Sequence, residues 1–117
     1  MAPKKPSEAL EMHGYNVCSF TNPILAYENI KQNPNKYSLL IADYRMPDMD
    51  GLSLASKLSE LNKKINVILM SAYDDIKCNY EFLRKPIPLS TLIKVVEKKM
   101  GNPLVKKMDN PLNILRI

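Results

Sequence analysis

Three features of the sequence predict an α/β fold with a mainly parallel sheet. Short apolar, strand-like runs alternate with stretches of helical periodicity. One run, residues 37–42 (YSLLIA), is apolar without alternation, as in a strand covered on both faces. Three polar residues, Asp43, Ser71 and Lys85, each stand just past a strand-like run. Ligands of open parallel sheets bind at those carboxyl ends.

Taken in order, residues 1–6 hold Pro3 and Pro6 among lysines and read as a frayed end. Ser7 is a simple helix cap, because Leu10 rather than an acid or amide stands three residues on. The helix it opens ends at Gly14, and residues 15–20 (YNVCSF) form a short strand. Thr21 or Asn22 caps the next helix, with Pro23 in its first turn and Asn33-Pro34 at its end. After the YSLLIA strand, YRMPDMDG is a loop punctuated by Pro47 and Gly51. Leu54, Leu58 and Leu61 recur at helical spacing over residues 52–61. Residues 65–70 (INVILM) are a second buried strand, and residues 81–83 a third, short one. The last helix spans residues 89–100, with Ser90 as cap and Gly101 just past its end. Residues 7–100 make one domain, and residues 101–117 are expected to be a flexible tail. Its apolar tip (Leu112, Ile114, Leu115, Ile117) is the part suited to a partner contact.

Composition narrows the function classes. The 117 residues leave no room for a second full core, and 45% hydrophobic with 25% charged fits a globular domain. No apolar run approaches the ~20 residues of a membrane span, and the N-terminus lacks a signal-peptide core, so a cytoplasmic location is expected. Cys18 and Cys78 allow one disulfide at most, and with His13 as the lone histidine there is no Cys/His metal cluster. The net charge of +5 comes from scattered lysine pairs without interleaved aromatics. That pattern reads as a solvated surface rather than a nucleic-acid footprint.

The strand-end trio has a coherent chemistry. A carboxylate such as Asp43 can attack a phosphoryl donor and carry an acyl phosphate. Lys85 can pair with the added oxygens as a point charge, and the Ser71 hydroxyl can donate one more hydrogen bond. The bland alternative makes Asp43 a loop residue, Ser71 a helix cap and Lys85 a surface cation.

These same segments, LLIADYRMPDMDG, INVILMSA and FLRKP, resemble a two-component response-regulator receiver domain of the CheY-like family over residues 8–100. The resemblance implies a flavodoxin-like, three-layer parallel sheet of strand order 2-1-3-4-5. It implies that Asp43 is the phosphoacceptor, fed by a sensor histidine kinase in a phosphorelay. Ser71 and Lys85 would hold the phosphoryl oxygens, and Pro47, Gly51 and Pro86 match the family's punctuation. Phe82, three residues before Lys85, matches the switch aromatic; a buried strand aromatic is its alternative role.

Two family parts have no counterpart in the linear order. The opening strand with its acidic pair is not found before SEALEMHGY, and only residues 73–80 stand where a full fourth helix would lie. The expectation is therefore a degenerate or N-terminally truncated receiver fold. The family's Mg²⁺ would find only Asp43 and the Arg45 backbone carbonyl, an incomplete site, with Asp48, Asp50, Asp74 and Asp75 as nearby substitutes. Two functions stay open: phosphoacceptance on Asp43, or a non-phosphorylated, receiver-derived protein-interaction module with a downstream protein partner. Neither is an enzyme in its own right, and neither calls for a membrane or nucleic acid.

Overall fold

The computed structural model describes residues 5–72, 78–101 and 112–117. Its elements run α1 (Pro6–Met12), β1 (Asn16–Ser19), α2 (Pro23–Gln32), β2 (Leu39–Asp43), α3 (Gly51–Leu61), β3 (Asn66–Ser71), β4 (Glu81–Arg84), α4 (Leu89–Met100) and β5 (Asn113–Arg116). The five strands form one sheet of order β1-β5-β2-β3-β4, and every pairing is parallel.

Helix starts follow from local chemistry. The Asn22 side chain accepts from the Ile24 N–H at 2.8 Å, and Pro23 occupies the first helical position, where no N–H is needed. Asp50 accepts from the Ser53 N–H at 2.7 Å and so caps α3. Ser7 and Ser90 are not caps: Lys5 and Pro88 precede α1 and α4, and neither makes a side-chain cap bond. In α1, Pro6 takes the first helical position instead. At the end of α4, Gly101 adopts φ 80°, a left-handed conformation suited to glycine.

The helices cover both faces of the sheet. On one side, Leu54, Ala55 and Leu58 of α3 and Ala26 and Ile30 of α2 pack on Leu40, Ala42, Val67, Leu69 and Leu115. On the other, Leu10 of α1 and Leu92, Val96 and Met100 of α4 pack on Leu39, Ile41, Ile68, Met70 and Ile114. Alternate residues of β2 thus serve opposite layers, which explains why its sequence does not alternate.

The expectation of a truncated or degenerate fold is corrected. The sheet is a complete five-stranded one, and its first strand, Asn16–Ser19, is in place. Among the described residues there are four helices, and the fourth, Leu89–Met100, runs for 12 residues. Residues 73–77, most of the segment read as a shortened helix, lie outside the described residues.

What completes the sheet is β5. Instead of leaving β1 and β2 to pair directly, the structure inserts Asn113–Arg116 between them. Residues 112–117 are therefore not a flexible tail. Ile114 and Leu115 are fully buried, one in each layer. Two bonds show how the segment arrives there. The Tyr15 hydroxyl donates to the Gly101 carbonyl at 2.6 Å, and the Asn16 N–H donates to the Leu112 carbonyl at 2.9 Å. Both ends of the connection after α4 are thus held beside the start of β1, where a strand parallel to it must begin. Burial, and secondarily the charge of Glu97, pushes the Tyr15 phenol up to about 12, so it stays a neutral donor there.

Candidate functional site

Asp43 ends β2, Ser71 ends β3, and Lys85 follows directly after β4. The register aligns these ends: Asp43 lies opposite Met70, and Ser71 opposite Arg84. The ladders continue past the strands. The Tyr44 N–H donates to the Met70 carbonyl and the Lys85 N–H to the Ser71 carbonyl, each at 2.8 Å. Parallel pairing is thus what gathers residues from three distant parts of the chain.

A small cavity of about 180 Å³ is lined by Asp43, Arg45, Met70, Ser71, Ala72 and Lys85. The three polar residues singled out at the strand ends meet there, with Arg45 of the loop beside them. Ser71 is buried, whereas Asp43 and Lys85 are partly open, with side-chain exposures of 38% and 42%. Lys85 Nζ stands 2.5 Å from Asp43 Oδ1. That oxygen is shielded from solvent and accepts no aligned hydrogen bond, so the contact is a charge contact. At this exposure such a pair contributes only about 0–1 kcal/mol to folding. Its effect is to hold the two groups together. The Lys85–Pro86 peptide is cis.

The loop after β2 is held from behind. The Gly51 N–H donates to the Tyr44 carbonyl at 2.7 Å, bringing the start of α3 against the backbone of Asp43. A Cβ at Gly51 would lie 2.4 Å from the Asp43 carbonyl oxygen. Glycine is therefore a spatial requirement of the loop that presents Asp43. Phe82 sits in β4, opposite Leu69, partly buried against the layer that contains α3. It is outside the residues lining the cavity.

Among the described residues, the donor set does not suit Mg²⁺. Among the described residues, no group of three or more His, Cys, Asp or Glu is placed to hold a metal ion. Asp50 is engaged in capping α3, and Asp48 is an exposed loop residue at φ 71°. Asp74 and Asp75 lie outside the described residues. A hard divalent cation prefers several oxygen ligands, and among the described residues Asp43 is the one lining carboxylate, already contacted by a lysine.

Sequence reasoning missed one residue. A neighbouring cavity of about 430 Å³ shares Asp43, Met70, Ala72 and Lys85, and adds Pro6, Pro86, Ile87, Leu92 and Arg116. Arg116 comes from β5, paired with Ile41 of β2. The only signal for it was the charged residue interrupting an apolar tip, and that had no meaning until the tip was known to be a strand.

Comparison with known proteins agrees with this architecture. The response regulator receiver domain family matches residues 4–97. The response regulator receiver protein CpdR of Brucella abortus is 32% identical over 101 residues, covering 80% of this chain and 82% of that protein. The transcriptional regulatory protein ZraR of Escherichia coli O157:H7 is 26% identical over 106 residues, but the chain spans only 24% of its length. Among solved structures, the receiver domain from the hybrid histidine kinase CckA superposes with a TM-score of 0.73 at 28% identity, covering 81% of this chain and 85% of that one. With its complete parallel sheet and its strand-end Asp43, Ser71 and Lys85, the chain belongs to the response-regulator receiver domain family of two-component signalling, whose members are signalling modules rather than enzymes.

Proposed function

We propose that this chain acts as a receiver-derived protein-interaction module whose strand-end site is not charged by Mg²⁺-dependent phosphorylation. The observation that carries the reading is the donor set. Asp43 stands as the one carboxylate among the described lining residues, in contact with Lys85, where a divalent ion would need further acids. Its partners are then proteins of the pathway, a sensor histidine kinase or a downstream component, recognised by the surface.

Incubation with acetyl phosphate, with and without Mg²⁺, tests this. Intact-mass analysis is expected to show no added phosphoryl group under either condition, and Asp43→Asn is expected to give the same spectrum. Mg²⁺-dependent incorporation that disappears in Asp43→Asn would overturn the reading.

That outcome would establish the second reading, in which Asp43 takes the phosphoryl group from a kinase phosphohistidine. Ser71 and Lys85 would hold its oxygens, and Phe82 would respond. This reading draws on the shared cavity of Asp43, Ser71 and Lys85.

A further inference from the structure

The cavity beside the strand ends holds a charge arrangement that neither reading uses. Strand alternation places Arg116 on the same face as Ile114, toward α1 and α4. There it lines the larger cavity together with Asp43 and Lys85. The Arg116 Nε is shielded from solvent and has no hydrogen-bond partner among the described residues. A shielded Nε–H without an acceptor is unfavourable, and an acceptor entering the cavity would relieve it. No described lining residue supplies one to Nε, and the single carboxylate among them, Asp43, is in contact with Lys85 instead.

The charges of the described lining residues are two positive, Lys85 and Arg116, against one negative, Asp43. Met70, Ile87 and Leu92 wall the same space, and an apolar wall strengthens any charge interaction within it. Such a site repels a divalent cation and attracts an oxyanion. Guanidinium matches a phosphate edge with two parallel N–H donors, and lysine adds a mobile point charge.

We propose that Lys85 and Arg116 form a binding site for a phosphate-class oxyanion that works without a divalent cation, with Arg116 delivered by the C-terminal strand β5. This goes beyond the interaction-module reading and does not depend on it. Asp43 is then a competitor for Lys85, not an acceptor. Replacing it with asparagine removes a repulsive charge and should tighten binding, whereas loss of a phosphoacceptor would abolish labelling.

The test is an amide chemical-shift titration of the full chain with inorganic phosphate in excess EDTA at constant ionic strength. Phenyl phosphate serves as a second probe, to distinguish free phosphate from a monoester whose body fills the apolar wall. Saturable shifts are expected at residues 41–43, 70–72, 85–87 and 116–117. Asp43→Asn should bind roughly threefold tighter or better. Arg116→Met, which keeps the side-chain volume, should bind about tenfold weaker. If Arg116→Met does not fold, Lys85→Met carries the same expectation. Shifts that spread over the lysine-rich surface, that are absent in EDTA and appear only in a parallel titration with Mg²⁺ in its place, or that survive unchanged in both cation variants would overturn the proposal. Mg²⁺-dependent labelling by acetyl phosphate would overturn the interaction-module reading and leave this titration to stand or fall separately.

Discussion

A chain lacking residues 112–117 is expected to lose its cooperative unfolding transition. Among the described strands, β1 pairs with β5 alone, and β2 has β5 along one of its two edges. Deletion removes two fully buried side chains, Ile114 and Leu115, whose truncation to alanine alone typically costs about 2–5 kcal/mol each. It also strands backbone donors and acceptors of two strands in the middle of a layered core. A domain of this size has only about 5–15 kcal/mol of net stability to lose. Urea unfolding followed by far-ultraviolet circular dichroism checks this. The intact chain should give one sigmoidal transition and the shortened one a broad, sloping loss of signal. Leu115→Ala, a milder probe, should lower stability by about 3 kcal/mol. An unchanged midpoint in Leu115→Ala would mean that β5 is not part of the stable core.

The second large effect is expected from Gly51→Ala. The added Cβ would meet the Asp43 carbonyl oxygen at 2.4 Å, with the Asp43 carbonyl carbon and the Tyr44 Cα at 3.1 Å. All three are backbone atoms, so no flexible side chain can swing aside. Either the start of α3 or the end of β2 must move, and the 2.7 Å bond from the Gly51 N–H to the Tyr44 carbonyl must lengthen. Overpacking of this kind costs about 1–3 kcal/mol and occasionally more. Because the clash is with backbone, we expect about 3 kcal/mol in a urea midpoint measurement. The amide resonances of Asp43 and Lys85 should shift as well, since the displaced atoms carry one side of their contact. A variant with unchanged stability and unchanged resonances would show that the loop has slack.

The sequence was informative wherever a local pattern has one physical meaning. The unbroken apolar run ending at Asp43, the Asn22-Pro23 start of α2 and the leucine spacing of α3 are of this kind, and each element lies within a few residues of its expected bounds. The strand-end trio was legible for the same reason: parallel strands deliver their carboxyl ends to one place. Capping was less so, because Ser7 and Ser90 looked suitable while Pro6 and Pro88 had already set the helix entries.

The main error came from a tertiary fact. Four residues, NILR, carry little strand signal by themselves, and the linear family pattern places the central strand at the start of the chain. Pairing is blind to chain order. An apolar segment reaching the right end of a two-sided slot will fill it. Arg116 went unnoticed as a consequence, since its position is defined only by that pairing.

The position of β5 also brings the two described ends of the chain together. Pro6, at the start of α1, and Arg116, at the end of β5, line one cavity. The Ile117 N–H continues the ladder onto the Ile41 carbonyl, so the last residue leaves the sheet beside Asp43. Relative to the strand order implied by the family resemblance, the slot of the family's first strand is filled by the last of the described strands. Tying residue 117 to residue 5 with a short linker and opening the chain between residues 102 and 111 would restore that order without moving a strand. Chain ends that lie close together commonly tolerate such rewiring.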